Sequence, residues 1–135
     1  MSSLSFAVVG AGATGALLAG RLADAGVPIT LIARGESLRA VREDGIRLIG
    51  PDGKSRTARP PVVAAPGEAV ECVDVAIFLV KTYDTTEAAR SLSPLVRDTG
   101  FVLCLQNGVE NEEILARHVG ESRVLPGVLL SLIHI

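Results

Sequence analysis

Three glycines near the start of the chain, Gly10, Gly12 and Gly15, stand in the order Gly10-Ala11-Gly12-Ala13-Thr14-Gly15. This spacing suits the holding of a pyrophosphate by main-chain N–H groups, with a purely structural glycine turn as the plainer alternative. The first glycine permits a tight turn off a strand, the second lets the backbone approach the phosphates, and the third lets a helix pack closely on the sheet. A helix opening there supplies unpaired N–H groups and the positive end of its dipole, so no charged side chain is needed. Three further residues can act on a ligand, Arg34, Lys81 and Asn107, and each stands just after an apolar run.

The elements that must position these groups are readable from the pattern of apolar runs. Leu4 to Val9 reads as a buried strand, Ala13 to Ala25 as a helix stopped by Gly26, and Val27 to Ala33 as a second strand, which together make a βαβ unit. Glu36 to Asp44 is expected to form a short helix ending at Gly45. Ile46 to Ile49 and Lys54 to Ala58, joined through Gly50-Pro51-Asp52-Gly53, read as an antiparallel hairpin. Asp74 to Val80 is a continuous buried strand, followed by a helix expected from Asp84, with Glu87 completing a capping box, to about Val96; Pro94 closes or kinks it. Phe101 to Leu105 is a strand, Glu110 to Val119 a helix closed by Gly120, and Arg123 to Ile135 a last strand broken at Pro126-Gly127. The fold class expected is α/β, a Rossmann-type doubly wound, mostly parallel sheet with an inserted antiparallel hairpin.

In such a sheet ligands bind outside the carboxyl ends of the strands, and Gly10, Arg34, Lys81 and Asn107 each follow such an end. Arg34 comes 22 positions after Gly12, where an NAD site usually carries a carboxylate for the ribose 2′-OH. A guidanium group at that place instead clamps a 2′-phosphate, which favours NADP(H). Arg39 or Arg42 can share the role, and a solvated loop arginine is the plainer alternative. Lys81 could equally be a strand-end lysine pointing into water, and Asn107-Gly108 only a turn. Their convergence on one edge is what favours function for both.

Composition narrows the remaining classes. The 135 residues fit one domain, with 13 basic against 15 acidic side chains, so nothing invites nucleic acid or an anionic membrane. With 48% hydrophobic residues but three Phe, one Tyr and no Trp, the core should be aliphatic, as in a parallel sheet covered on both faces. Cys72 and Cys104 lie far apart with no histidine pattern beside them, so two inert thiols in a reducing compartment and no metal are expected. His118 falls in the last turn of its helix, a solvated helix end rather than a ligand. No basic side chain precedes Arg21 and no apolar run is long enough to span a bilayer, so a cytoplasmic protein is the expectation.

With the glycine turn, Val80-Lys81-Thr82-Tyr83-Asp84 and Leu105-Gln106-Asn107-Gly108-Val109 taken together, the chain resembles the ketopantoate reductase (2-dehydropantoate 2-reductase) family. Arg34 and the Gly50–Gly53 hairpin agree, and the resemblance covers about Leu4 to Gly127. It implies NADPH-dependent reduction of 2-dehydropantoate to pantoate, in pantothenate and coenzyme A biosynthesis. Gly10, Ala11, Gly12, Ala13, Thr14 and Gly15 would hold the pyrophosphate, Arg34 the 2′-phosphate, and Lys81 and Asn107 the cofactor and the keto acid near the nicotinamide.

Lys81 would act as an electrostatic donor or carboxylate anchor and Asn107 as a donor that does not titrate. The family also has a second, helical domain carrying the lysine thought to be the general acid. Residues 1–135 are therefore expected to be the dinucleotide-binding domain, cut short at its C-terminus, with Ser131 to Ile135 lacking a counterpart. The chain alone should then fold but reduce ketopantoate poorly, and its apolar last strand should favour self-association. The alternatives are a reductase of another 2-keto acid and a module that binds NADP without catalysis.

Overall fold

A computed structural model describes residues 3–68, 71–80, 85–90, 92–106 and 110–127. Six strands form one parallel sheet: β1 (Phe6–Val9), β2 (Ile29–Ile32), β5 (Val62–Val63), β6 (Val73–Phe78), β7 (Val96–Cys104) and β8 (Val124–Pro126). Their order is β5-β2-β1-β6-β7-β8, the doubly wound arrangement in which the chain leaves β1 in one direction and returns to its other side through β6. The hairpin of β3 (Ile46–Ile49) and β4 (Ser55–Ala58) forms a separate two-stranded sheet. The fold class expected from the sequence is the one observed, with the antiparallel pair outside the main sheet.

Each face has its own apolar layer, as parallel crossovers require. On one side Val8, Leu31 and Ile77 pack with Ala19 of α1 (Ala13–Asp24) and with Ile46, Leu48 and Ala58 of the hairpin. Leu38 and Val41 of α2 (Gly35–Asp44) join the same layer. On the other side Val9, Phe78, Val102 and Cys104 pack with Ala89 of α3 (Thr85–Arg90) and with Leu115 and Val119 of α4 (Asn111–Val119). Gly20 lets the hairpin settle on α1, because a Cβ there would come within 2.9 Å of the Ile46 Cγ2. The Asp24–Arg56 ion pair, at 3.3 Å, lies at the same junction.

Several boundaries depart from the sequence expectation for identifiable reasons. The helix expected to run to Val96 ends at Arg90, and Leu92 to Leu95 form a turn with Leu95 N–H donating to the Leu92 carbonyl at 2.9 Å. Pro94 has no N–H to give and disfavours helix at Ser93, so the helix cannot continue. Asp84, the expected cap, lies outside the described residues. β7 begins at Val96 rather than Phe101, entering through a register shift opposite Val73 and Val75. Gly100 fits that irregularity, since a Cβ there would come within 2.5 Å of the Asp74 carbonyl oxygen. The third sheet strand, β5, is only two residues long behind Pro60-Pro61 and carries too little pattern to be read as a strand. Of the expected last strand, the described part is Val124–Pro126.

Opposite the carboxyl ends of the strands, the sheet is tied at its amino-terminal edge. The Asp74 Oδ2 accepts from the Ser5 N–H at 2.8 Å and the Ser5 hydroxyl at 3.1 Å, and its Oδ1 faces the Arg97 Nε at 3.2 Å. The bonds from Ser5, helped by the Arg97 charge, hold the Asp74 carboxyl below its ordinary value against the opposing pull of burial. Arg123 donates to four main-chain carbonyls, Gly100 at 3.1 Å, Val119 at 3.3 Å, Val96 at 3.4 Å and Arg97 at 2.6 Å. One guanidinium thereby joins the end of α4 to the start of β7.

Candidate functional site

The parallel register sets the strand ends flush. Val63, Ile32, Val9, Phe78, Cys104 and Pro126 are successive partners in one row across all six strands. Every segment that follows this row leaves the sheet on the same edge. Gly10, Arg34, Val80 and Gln106 are therefore brought to one side of the molecule by pairing geometry alone. Lys81 and Asn107, the next residues after Val80 and Gln106, lie outside the described residues.

The three glycines have three different surroundings. Gly10 adopts φ +111° and a Cβ on it would lie 2.9 Å from the Leu79 carbonyl carbon and 2.9 Å from the Val80 nitrogen, so only glycine lets β1 turn against the exit of β6. Gly15 is buried under the turn, and a Cβ there would collide with the Gly10 carbonyl oxygen. Gly12 is the opposite case. It is exposed, and among the described residues no atom beyond its own chain neighbours lies within 4 Å of where its Cβ would be.

Gly12 is also the N-cap of α1, with no side-chain cap and no acidic residue in the first turn. Ala13, beside it, is exposed, while Ala11 and Thr14 are half-buried. The helix end thus has uncapped N–H donors facing open space, which the chemistry of a bound diphosphate fits. The turn lies between β1 and β6, at the point where the strand order reverses.

Arg34 is the exposed N-cap residue of α2, two positions beyond the end of β2, so its guanidinium is carried at the same edge. Arg42, a candidate to share its role, sits in the last turn of α2 and donates to the Val62 carbonyl at 3.5 Å. The helix separates it from Arg34 by about 12 Å of rise. Arg39 is exposed on the same helix.

Beneath the ends of β6 and β7 is a polar network that the sequence reading did not anticipate. The Gln106 Nε2 donates to the Val80 carbonyl at 2.6 Å and to the Thr85 Oγ1 at 2.8 Å. The Thr85 hydroxyl in turn donates to the Asn111 Oδ1 at 3.2 Å. Thr85 and Asn111 are fully buried, and Gln106 is half-buried with its Oε1 3.6 Å from the Cys104 Sγ. Burial raises the Cys104 thiol above its ordinary value, so it stays protonated and able to donate. A polar Gln directly before Asn107-Gly108 was the available signal; its reach to a threonine 21 residues earlier was not.

His118 lies half-buried in the last turn of α4, as a helix-end residue would. Cys72 is exposed and Cys104 buried, both free thiols. Among the described residues no group of three or more His, Cys, Asp or Glu could hold a metal ion, and no helix is long and apolar enough to cross a membrane.

A family model described as "Ketopantoate reductase PanE/ApbA" matches residues 6–133. The match runs past Gly127, where the motif resemblance stops, and reaches into the Ser131 to Ile135 segment that had no expected counterpart. A 2-dehydropantoate 2-reductase of Halobacterium salinarum is 42% identical over 121 residues, covering 89% of this chain and 39% of that protein. Among solved structures, a PanE/ApbA family ketopantoate reductase from Ralstonia eutropha superposes with a TM-score of 0.77 at 34% identity, over 93% of this chain and 40% of that one. A D-mandelate dehydrogenase solved with NADH and anilino(oxo)acetate superposes with a TM-score of 0.82 at 27% identity, again over 93% and 40%. The chain spans about two fifths of the length of the curated relatives it matches.

Proposed function

The chain belongs to the ketopantoate reductase family, and from that premise we propose that it is the NADP(H)-binding part of a 2-dehydropantoate 2-reductase. The observation that carries this reading is the open space at Gly12, facing the uncapped start of α1 at the strand-order reversal. Gly10 and Gly15 hold that turn closed against the sheet so that Gly12 and Ala13 remain accessible. The first-turn N–H groups of α1 hold a diphosphate, and Arg34 takes the 2′-phosphate that distinguishes NADP(H) from NAD(H).

When bound, the nicotinamide supplies a hydride to the keto carbon, leaving negative charge on the oxygen. Lys81 and Asn107, following β6 and β7, serve as donors toward that oxygen and toward the substrate carboxylate. A lysine ammonium suits charge stabilisation better than proton delivery. The chain by itself therefore binds NADP(H) and reduces ketopantoate slowly, because orientation of the keto acid and exclusion of water need walls beyond this edge. Orientation alone contributes about 7 kcal/mol or more to such reactions. The product, pantoate, places the reaction in pantothenate and coenzyme A synthesis, and the reaction belongs to the cytoplasm.

The D-mandelate dehydrogenase likeness favours one second reading, a reductase of a different 2-keto acid using NADH. Titration of the chain with NADPH and NADH, followed by nicotinamide fluorescence, separates the two. Tighter NADPH binding that is lost in Arg34→Ala is the expected outcome, and equal affinities in the unaltered chain would refute the cofactor assignment. Ketopantoate and phenylglyoxylate, each offered with the preferred cofactor, test the substrate.

A further inference from the structure

β7 is apolar on both faces but dry on only one. Val102 and Cys104 are fully buried in the layer that holds Leu115 and Val119 of α4, whereas Phe101, Leu103 and Leu105 alternate with them and turn to the face that carries Val8 and Ile77. Parallel pairing sets Phe101 beside Val75 of β6 and Leu103 beside Leu125 of β8, so these five side chains make one continuous apolar surface. α1 and the hairpin cover that face over β1 and β2. Over β7 and β8 the cover ends, and among the described residues Phe101 is left 40% exposed and Leu125 44%. The other large exposed apolar residues, Leu4, Leu17 and Ile49, stand singly on separate elements, as such residues do on any surface.

We propose, independently of the cofactor assignment, that the face formed by Val75, Phe101, Leu103, Leu105 and Leu125 seats an apolar helix carried on the same polypeptide in the longer form that the relatives have. The sequence of β7 asks for such a cover: Phe101-Val102-Leu103-Cys104-Leu105 has no polar alternation, the pattern of a strand buried on both sides. Size decides the kind of occupant. From β6 to β8 and from Phe101 to Leu105 the patch measures about 10 Å by about 13 Å. That falls far short of the roughly 800 Å² per partner that a stable association of separate molecules buries. It matches the diameter of one helix, about 10 Å, and a helix tethered to the same chain does not have to meet the cost of association. Sheet faces are covered in this way, by a helical layer.

The relatives have the length from which such a helix can come, since the Halobacterium salinarum reductase matches this chain over 39% of its own sequence. β8 also ends against the patch. The Gly127 N–H donates to the Cys104 carbonyl at 2.9 Å, and a Cβ on Gly127 would come within 2.5 Å of the Leu105 Cδ2 and 3.4 Å of the Leu103 Cδ1.

The test is the rate of maleimide labelling at single cysteines, in a Cys72→Ser background that removes the exposed native thiol. Phe101→Cys, Leu125→Cys and, as a control on the hairpin, Ile49→Cys are compared in the 135-residue chain and in a chain continued after Gly127 with the remainder of the Halobacterium salinarum reductase. All three should label fast in the 135-residue chain. In the continued chain the two patch cysteines should label about tenfold or more slowly and Ile49→Cys as before. Equal rates at Leu125→Cys in the two chains would overturn the proposal. Slow labelling already in the 135-residue chain would overturn it too, in favour of a second copy if dilution restores the rate and of residues 128–135 if it does not. Should the continued chain fail to fold, cysteines in the intact Ralstonia eutropha reductase at the residues that superpose on Leu125 and Ile49 decide the matter, and fast labelling at the first would overturn it.

Discussion

Alanine placed at Gly12 and alanine placed at Gly15 should have opposite signatures, although the two positions are three residues apart in one turn. At Gly15 the new methyl meets the Gly10 carbonyl oxygen and lies 3.4 Å from the Val8 Cγ1, so α1 must lift off the end of β1. Alanine gains about 1 kcal/mol of helix propensity there, and forcing an atom into a closed contact costs about 1–3 kcal/mol, more when the neighbour is backbone. With backbone as the neighbour the upper figure applies, so the net loss of about 2 kcal/mol should lower the melting temperature by about 6–8 °C in a chain of this size.

At Gly12 the methyl meets no described atom within 4 Å beyond its chain neighbours, and φ is −66°, which any residue adopts. The N-cap penalty of alanine and the entropy lost from the unfolded chain oppose each other at about 0.5–1 kcal/mol each, so stability should hardly move. Ligand affinity should move, since the methyl fills the space a diphosphate needs. Loss of one charge-assisted hydrogen bond, about 1.5–3 kcal/mol, corresponds to roughly 10- to 100-fold weaker binding. Thermal melts and NADPH titrations of the two variants decide the matter. A Gly12→Ala chain that binds NADPH as tightly as the original would refute the cradle, and an unchanged melt in Gly15→Ala would refute the packing argument.

Three further outcomes follow from single side chains. Arg34→Ala should raise the NADPH dissociation constant about tenfold or more and leave NADH unchanged, so a parallel loss for both cofactors in a competition titration would count against a 2′-phosphate contact. Asp74 has a lowered folded value, so its stabilisation is complete above the ordinary carboxylate value of 3.8 and is lost as pH falls through the lowered one. The melting difference between the original chain and Asp74→Ala should therefore be constant near neutrality and narrow below about pH 4; a gap independent of pH would contradict this. Arg123→Met, which abandons four carbonyls, should cost about 1–3 kcal/mol in urea denaturation without changing NADPH affinity once folded. Lysine should not rescue it, because one ammonium cannot reach all four.

How far the sequence could be read depends on how local each determinant is. The glycine turn, α1 and the Gly50–Gly53 hairpin are set by neighbours in sequence, and their expected and observed limits agree within a residue or two. The turn even closes as its residues suggest, with the Asp52 Oδ1 accepting from the Lys54 N–H at 3.0 Å. β5 escaped because two residues carry no periodicity and owe their strand state to the edge of β2. The polar start of β7 escaped because it is pairing with Val73, far away in sequence, that extends Arg97 to Gly100.

The same division holds for single side chains. Gly10, Gly12, Gly15 and Arg34 follow the ends of β1 and β2 as their spacing suggests, whereas Gln106 near the ends of β6 and β7, and Arg123 at the opposite edge of the sheet, make contacts that span more than twenty residues and leave no local trace.

The placement of β1 in the middle of the sheet also governs the order in which the molecule can be assembled. Phe6 pairs with Ile29 on one side and with Val75 on the other. During synthesis the first partner emerges soon after β1, and the second only after α2, the hairpin and β5 have all been made. At about 5–20 residues per second, β1 waits several seconds with one edge unpaired. Through that interval the side of the nascent sheet facing α1 already has its cover, because the hairpin belongs to the earlier half. The side facing α3 and α4, with Ala7 and Val9 upon it, does not. Docking of β6 onto β1 is thus the step that commits the chain, and substitutions along the Phe6–Val9 and Val75–Phe78 seam should slow refolding more than equally destabilising changes in the hairpin.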